Sequence, residues 1–402
     1  MTQTAQQGGV LLLLPLPVTA PPCIIGGAVM QEATGSLEPS AEAQALWGRL
    51  PERFLPSPNY LFAQRIAPAF LRGSQSLADF IRRVRARVTG KIVLTWNPSY
   101  LYDLDRCARE CFQSPDLTSR MAGIVSLRTA AFACNLLGDF QISPLPSMER
   151  TFDALERRAF HAVTQVQRLG MLRSIAKALF SKNQKLVSYM MRPEDERIAL
   201  LRKALRDGSP VAAVTMEGDC GLARVTGESS GTFSMVLWSQ GLALPVLYER
   251  AGGMMIAPPG VLTPQRLARL RYSRDEAMRA LFGSSLGSLD YPAPRAPGED
   301  PARSDADRAF LHDCYASGTV PEAPSGISMA LRGRYFMYLG DNERGRISGP
   351  IYERYCDVTA QMVARRARAY ARETDALAGY IDEASDDDLR LVQLIREYPM
   401  TL

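Results

Sequence analysis

The residue whose surroundings best suit covalent chemistry is Cys220, which lies between two glycines in the string GDCG at residues 218–221. A cysteine nucleophile reacts as the thiolate, so it needs a neighbouring base that takes its proton. The sequence contains two histidines, His161 and His312, and one of them would have to supply that base. Cys220 with His161 is therefore the catalytic pair of an enzyme hypothesis, a cysteine-nucleophile hydrolase or transferase.

The string GDCG resembles the nucleophile turn of chymotrypsin-like viral cysteine proteases, in which glycines let backbone amides form an oxyanion hole. The resemblance covers four residues and implies a nucleophile at Cys220. Those proteases carry their histidine in a β-barrel, whereas no barrel is predicted before Cys220 in this chain. The alternative interpretation is a glycine turn between strands that holds a half-buried cysteine.

The remaining catalytic and metal motifs fail on their context. A G-x-S-x-G nucleophile elbow must follow a strand and open a helix, but residues 227–231 precede a predicted strand and residues 283–287 follow a predicted helix. Cys107 and Cys111 are four residues apart without a third ligand nearby, and the acidic residues of 382–388 suit the first turn of a helix. We expect no metal site and no cofactor.

Two runs of arginine could contact phosphates. Both are predicted to lie on helices, where a row of cations can follow a nucleic-acid backbone. The alternative is a solvated helix face or salt bridges between subunits. Neither run is interleaved with aromatic residues, so any contact with RNA would be non-specific. The residues concerned are Arg82, Arg83, Arg85 and Arg87 in the first run, and Arg365, Arg368 and Arg372 in the second.

The predicted elements that position these residues are mostly helices. Apolar spacing predicts helices at 76–88, from Ser147, from Pro193 to Gly208, from Pro350 and at 386–397. Strands are predicted at 91–96 and within 210–258, and a strand or hairpin at 327–339. We predict an α+β fold, mainly α-helical, with a small antiparallel β module near 210–258 and an extended N-terminal arm.

The predicted organisation has five parts. An arm at 1–37 precedes a helical domain at 38–209, and a β-rich module with following helices occupies 210–283. A proline-rich exposed loop or linker is expected at 284–303, because four prolines occur within eleven residues there. A C-terminal helical region completes the chain at 304–402.

The N-terminal arm is the most unusual segment, because its first 31 residues carry no charge. It lacks the basic residues of a secretory signal, and its prolines oppose a membrane-spanning helix. We expect an extended strap that must pair its backbone, in a groove of its own domain or on another subunit, since burial of side chains alone would not offset the lost chain entropy. Its apolar residues are Val10, Leu11, Leu12, Leu13, Leu14 and Leu16.

Composition bounds the function only loosely. The net charge is +5, and the seven widely spaced cysteines suit a reducing compartment. Together with the arm and the many arginines, these features favour a structural assembly protein, similar in general character to the mainly helical shell proteins of double-stranded RNA viruses. That hypothesis predicts a capsid or surface subunit in the virion or host cytoplasm. Its partners would be copies of itself, other shell proteins and RNA, with no membrane.

Overall fold

The computed structural model describes most of the chain. It covers residues 10–19, 22–32, 44–49, 55–63, 65–68, 74–138, 147–157, 164–283, 289–293, 301–342, 350–379 and 385–401.

A six-stranded mixed sheet forms the first part of the molecule, with the strand order β4-β3-β2-β1-β5-β6. Strand β2 pairs antiparallel with β1 and with β3, whereas the pairs β1–β5, β5–β6 and β3–β4 are parallel. The strands are β1 Val10–Thr19, β2 Pro22–Glu32, β3 Gln44–Arg49, β4 Gln75–Ser76, β5 Ile92–Thr95 and β6 Gly123–Ser126.

Strand β1 is the central strand of this sheet, and it explains the uncharged N-terminal segment. Val10 and Leu12 pack into the core on one face, and Leu11 and Leu13 into the core on the other. A strand covered on both faces has an unbroken apolar sequence instead of an alternating one. Its backbone pairs with β2 on one side and β5 on the other, so the pairing expected of the strap occurs within the same chain.

Helices cover both faces of the mixed sheet. Helix α1 (Pro58–Ala63), α2 (Leu77–Val88) and α3 (Tyr100–Glu110) contribute to the core that contains Leu11 and Leu13. The opposite core contains α5 (Leu127–Leu137), α6 (Met148–Glu156) and the long α7 (Gln165–Met190). The short helix α4 (Leu117–Arg120) lies between α3 and β6.

A five-stranded antiparallel sheet forms the second part, in the order β10-β9-β8-β7-β11. One face packs on α8 (Glu194–Asp207), and the other shares a core with α5 and α7. Its strands are β7 Val211–Val214, β8 Cys220–Ser229, β9 Thr232–Ser239, β10 Leu242–Tyr248 and β11 Met255–Ala257, followed by a 3-10 turn at Pro259–Val261 and helices α9 Pro264–Arg269 and α10 Arg274–Phe282. The predicted β module near 210–258 is confirmed.

Four helices complete the described chain. They are α11 Asp305–Ser317, α12 Met329–Asn342, α13 Pro350–Gly379 and α14 Asp386–Glu397, with a 3-10 turn at Tyr398–Thr401. Helices α11 and α12 enclose a small aromatic core with Phe112 at the end of α3, while α13 and α14 pack on α1. None of the described helices is long and apolar enough to cross a membrane.

The structure corrects three sequence-based expectations. The segment predicted as an extended arm at 1–37 supplies two strands of the mixed sheet. The region predicted as a helical domain at 38–209 supplies four more, of which β5 corresponds to the strand predicted at 91–96. The segment predicted as a strand or hairpin at 327–339 is helical from Met329 onward, within α12, because Leu331 and Tyr335 repeat at helical spacing toward the aromatic core. The predicted loop at 284–303 lies largely outside the described residues.

Candidate nucleic-acid interface

The topology of the mixed sheet defines where a ligand should bind. The chain leaves β1 toward β2 on one side of the sheet, and proceeds from β5 to β6 on the other. Ligands of open α/β sheets bind outside the carboxyl ends of the strands at such a reversal. We call this region the switch-point edge, and it comprises the residues from Leu13 onward in β1, Thr95 to Asn97 after β5, and Ser126 at the end of β6.

The switch-point edge holds apolar, aromatic and hydroxyl residues. Leu13 and Thr95 are buried, and Trp96 is nearly so. The Ser126 hydroxyl donates to the Trp96 carbonyl oxygen at 3.2 Å and accepts from the Thr129 amide at the start of α5. The Thr95 hydroxyl is buried without a hydrogen-bond partner among the described residues. An unsatisfied buried hydroxyl costs about 1–3 kcal/mol, so its retention calls for an explanation such as a bound ligand.

Two tyrosines and an arginine interact electrostatically near the start of α3. Tyr60 of α1 lies within electrostatic range of Tyr100 at the start of α3 and of Arg168 in the first turn of α7. Burial raises the pKa of Tyr60, the Arg168 charge partly opposes the shift, and its hydroxyl has no partner within the described part of the chain. Arg168 faces Glu149 of α6 at 3.7 Å. Aromatic rings beside a guanidinium are what unpaired nucleic-acid bases stack on.

The second arginine run forms an exposed stripe on α13. Arg365, Arg368 and Arg372 are exposed and make no ion pair with any described residue. The opposite face of the helix is buried through Thr359, Tyr370, Thr374 and Leu377. Because α13 packs on α1, the stripe lies on a helix that contacts the element bearing Tyr60. Its phosphate-binding role stays a prediction.

The first arginine run is occupied by protein contacts. On α2, Arg82 pairs with Asp79, and Arg83 donates to the Gln75 side chain at 2.9 Å. The Arg85 guanidinium donates to Gln113 and to the Ser114 carbonyl and lies 3.5 Å from Asp116, and Arg87 is half-buried and also has a partner. These contacts engage the guanidinium groups that RNA would meet, and carboxylates face Arg82 and Arg85; the RNA-binding role stays a prediction.

A basic cleft lies away from the switch-point edge, between the end of α5, a kink in α7 and α9. Its volume is about 790 Å³, and its cations are Lys182, Lys185, Arg266 and Arg269. Arg269 donates to the carbonyl oxygens of Leu136 and Gly138, at 2.7 and 2.9 Å, and so caps the carboxyl end of α5. The cluster of cations makes this cleft a second surface suited to an anion.

Cys220 does not have the environment of a nucleophile. It is buried at the start of β8, and burial, with the nearby Asp219 charge, raises the pKa of its thiol to about 12. The thiol is therefore protonated at neutral pH, whereas catalysis requires the thiolate. His312 is exposed on α11 and lies 3.5 Å from Asp313, and His161 lies outside the described residues. The alternative interpretation placed a half-buried cysteine in a glycine turn between strands; Cys220 does follow the turn between β7 and β8, but it is buried.

The other residues considered in the sequence are in structural positions. Cys107 and Cys111 are buried in the α3 core, and Asp386 to Asp388 form the first turn of α14, where Ser385 and Asp388 complete a capping box. Asp382 and Glu383 lie outside the described residues. Among the residues that the structure describes, no group of three or more His, Cys, Asp or Glu side chains could hold a metal ion.

The fold resembles that of exonuclease I over almost the whole chain. A solved exonuclease I structure matches with a TM-score of 0.77 and 16% identity, covering 98% of each chain. E. coli exonuclease I in complex with a dA16 oligonucleotide gives 0.75 and 15%, covering 98% of this chain and 100% of that one. The zinc-bound complex of the E. coli enzyme with single-stranded DNA gives 0.76 and 15%, covering 98% and 99%. No family model and no curated protein matches this sequence.

These likenesses overturn the assembly hypothesis. The chain has the fold of an α/β DNA exonuclease, not that of a shell protein, so the interpretation as a viral capsid or virion subunit is wrong. The prediction of shell proteins as partners depended on that hypothesis and is no longer supported. What sequence reasoning missed was the switch-point edge. The signal that could have revealed it was the continuous apolar run at residues 10–14, which is as typical of a doubly covered strand as of a strap.

Proposed function

We propose that this chain binds single-stranded DNA. The observation that carries the proposal is the fold shared with exonuclease I complexes of single-stranded oligonucleotides, over 98% of this chain. Tyr60, Tyr100 and Arg168 support it with the side-chain types that unpaired bases and a phosphate backbone select. The stripe of Arg365, Arg368 and Arg372 would extend the contact along the backbone.

The described residues do not fit the metal centre that a two-metal nuclease needs. Such a centre requires several carboxylates around cations about 4 Å apart. In this chain the switch-point edge carries Leu13 within β1, Thr95 and Trp96 at and after the end of β5, and Ser126 at the end of β6. The described residues hold no cluster of metal ligands. We therefore infer binding of the strand without metal-dependent hydrolysis at this edge.

Hydrolysis of single-stranded DNA is the second candidate function. It is favoured by the shared fold, because the similar structures are exonucleases and one of them binds zinc together with single-stranded DNA. The two candidates predict the same binding and differ in whether the strand is shortened when a divalent metal is added.

The test measures binding and cleavage on one substrate. Fluorescence anisotropy with a 5′-labelled dA16 strand should show saturable binding that weakens as salt rises from about 50 to 200 mM. The same strand, incubated with Mg²⁺, Mn²⁺ or Zn²⁺ and run on a denaturing gel, should stay intact. Failure to bind single-stranded DNA at the lowest salt overturns the proposal, whereas metal-dependent shortening establishes the second candidate.

A pair of matched variants tests the interface. Replacing Arg365, Arg368 and Arg372 together by glutamine should reduce the slope of log affinity against log salt by about 2, at roughly 0.7 for each phosphate contact to a single strand. The control replaces Arg82 and Arg83 by glutamine. Those arginines are also exposed, on α2, but they have partners within the protein, so the slope should stay unchanged. Equal effects of both variants would remove the α13 stripe from the interface.

A further inference from the structure

A cavity with aromatic and basic walls lies outside the switch-point edge and shares Arg269 with the lining of the basic cleft. Three turn segments converge on it, at residues 218–220 before β8, at 239–241 between β9 and β10, and at 269–273 between α9 and α10. Its volume is about 580 Å³, within the range of small-molecule sites. We call it the turn cavity.

The backbone of these turns is fixed by their sequences. Gln240 and Gly241 both have positive φ, as a two-residue hairpin turn requires. Gly218 also has a positive φ, and a Cβ atom there would lie 2.7 Å from the Phe132 ring. Because the backbone conformation of these turns is fixed, the cavity wall presents the same side chains with or without a ligand. This reduces the free-energy cost of ordering the site when a ligand binds.

The aromatic wall is held in position by hydrogen bonds. The Tyr272 hydroxyl accepts from the Leu222 amide at 2.9 Å and donates to the Trp238 carbonyl oxygen at 3.1 Å. Gly221 leaves room for this ring, because a Cβ atom there would lie 2.9 Å from it. Trp238 lies beside Tyr272 in the cavity wall and is half-buried, so its indole retains accessible surface.

The polar wall is mainly basic. Arg271 is exposed at the rim and makes no ion pair with a described residue. Arg269 is held by carbonyl oxygens at the end of α5, which leaves its positive charge without a carboxylate partner. Glu276 is the one acid among the described residues of the lining, and the Gln240 amide adds a donor and an acceptor. The thiol of Cys220, also in the lining, is neutral at pH 7 because burial raises its pKa.

We propose that the turn cavity binds a nucleoside monophosphate, with its base against Trp238 and Tyr272 and its phosphate on Arg271. Aromatic side chains stack on any base, and a guanidinium binds phosphate through two parallel hydrogen bonds. The nucleotide has two possible sources, a free mononucleotide or one nucleotide of a bound strand. The proposal rests on the single-stranded-DNA function only for the second source.

The experiment titrates the full-length protein with dTMP and with dAMP by isothermal calorimetry. We expect saturable binding of both, weakened at least about fivefold by Trp238→Leu, since one base–aromatic stack contributes at least that much. Arg271→Gln should weaken binding similarly, and because Arg271 is exposed this variant keeps a folded protein in the test. Arg274→Gln, an exposed neighbour outside the cavity lining, is the control and should bind as the unmodified chain does.

Three outcomes overturn the proposal. They are no saturable binding of either nucleotide at millimolar concentration, the same affinity in Arg271→Gln as in the unmodified protein, and inorganic phosphate binding as tightly as dTMP. Competition then distinguishes the sources, because dTMP displaces a labelled dA16 strand if the cavity holds one of its nucleotides and leaves it bound otherwise. Binding of dTMP without binding of dA16 would reject the proposed function and retain this site, and the converse result would reject the site alone.

Discussion

Glu194 and Glu196 form two ion pairs on the same helix in very different surroundings. Glu194 is 1% exposed, lies 3.3 Å from Arg197 and accepts a hydrogen bond from the Tyr248 hydroxyl. Burial, with the adjacent Glu194 charge, raises the pKa of Tyr248, so its phenol stays protonated as the donor. Glu196 pairs with Arg192 in solvent, at 3.3 Å.

Removing these two carboxylates should therefore have unequal effects. Glu194→Ala leaves the Arg197 charge buried without its partner and should lower the free energy of unfolding by about 3–5 kcal/mol. Glu196→Ala should lower it by less than about 1 kcal/mol, because exposed pairs contribute little. Urea denaturation followed by circular dichroism measures both, and a similar shift in the two variants would refute the structural role of Glu194.

Asp105 makes stability depend on pH. This buried carboxylate of α3 accepts hydrogen bonds from the Leu117 amide and from the Thr118 hydroxyl, yet burial raises its pKa to about 6. The pKa of Asp105 is higher in the folded protein than in the unfolded chain. Its contribution to the free energy of unfolding is therefore fully present below the unfolded pKa and is lost as pH rises through 6. The free energy of unfolding of the unmodified protein, minus that of Asp105→Asn, should fall by on the order of 3 kcal/mol from pH 4 to 7.

Asp79 provides the control of opposite sign. A hydrogen bond from the Ser76 hydroxyl, at 2.7 Å, lowers the pKa of this exposed carboxyl. The contribution of Asp79 to the free energy of unfolding is therefore present above the unfolded pKa and is lost as pH falls. Asp79→Asn should lower the free energy of unfolding more at pH 7 than at pH 3. If the two asparagine variants changed stability with pH in the same direction, the assignment for Asp105 would fail.

The surroundings of individual residues were harder to predict from the sequence than the helices and strands. The string around Cys220 has the composition of a reactive turn, but reactivity depends on burial and on a neighbouring base, and both are set by distant parts of the chain. Tyr60, Tyr100 and Arg168 come together from three helices up to 108 positions apart in the sequence. No local spacing links them, so this cluster could be found only in three dimensions.

Helix α7 illustrates how one element depends on its neighbour. Asn183 interrupts the helix with φ −139° and ψ 45°, and it lies against Gly138 at the end of α5. A Cβ atom at Gly138 would be 1.8 Å from the Asn183 side-chain oxygen. Gly138→Ala should therefore destabilise the protein by about 1–3 kcal/mol, as overpacking in a well-packed core does.

Gly170 is the matched position within α7. A Cβ atom there meets nothing within 4 Å, and alanine is favoured over glycine inside a helix by about 0.5–1 kcal/mol. Gly170→Ala should raise the melting temperature and Gly138→Ala should lower it, both measured by differential scanning calorimetry. A higher melting temperature for Gly138→Ala would show that α5 and α7 are not packed as described.

Helices could be predicted where the local sequence carries both the apolar spacing and the capping residue. Helix α2 follows its apolar spacing and its Ser76 cap, and the last helix begins after Ser385 as predicted. Strand β1 was the main failure, because four consecutive buried residues fit both a strap and a strand covered on both faces. The choice depends on β5, some eighty residues later, and on helices that cover each face, which are not local properties.

At the scale of the whole molecule, the two sheets share one core. Val10 and Leu12 of the mixed sheet belong to the same apolar cluster as Val214 and Leu222 of the antiparallel sheet. The connection between β10 and β11 adds hydrogen bonds to helices that cover the mixed sheet. The Thr129 hydroxyl donates to the Gly253 carbonyl oxygen, and the Ala251 amide donates to the Tyr102 hydroxyl at 3.2 Å. Both sheets should therefore unfold together.

Arg250 is the residue in this connection whose removal best tests that coupling. Its guanidinium donates to the Thr118 carbonyl oxygen at 2.9 Å and to that of Met121, on the loop that enters β6. Arg250→Ala removes these charge-assisted bonds, each of which contributes about 1.5–3 kcal/mol, and should split the single urea transition into two. Arg206→Ala, an exposed change on α8, should keep one transition. A single transition at an unchanged midpoint in Arg250→Ala would show that the apolar core alone holds the sheets together.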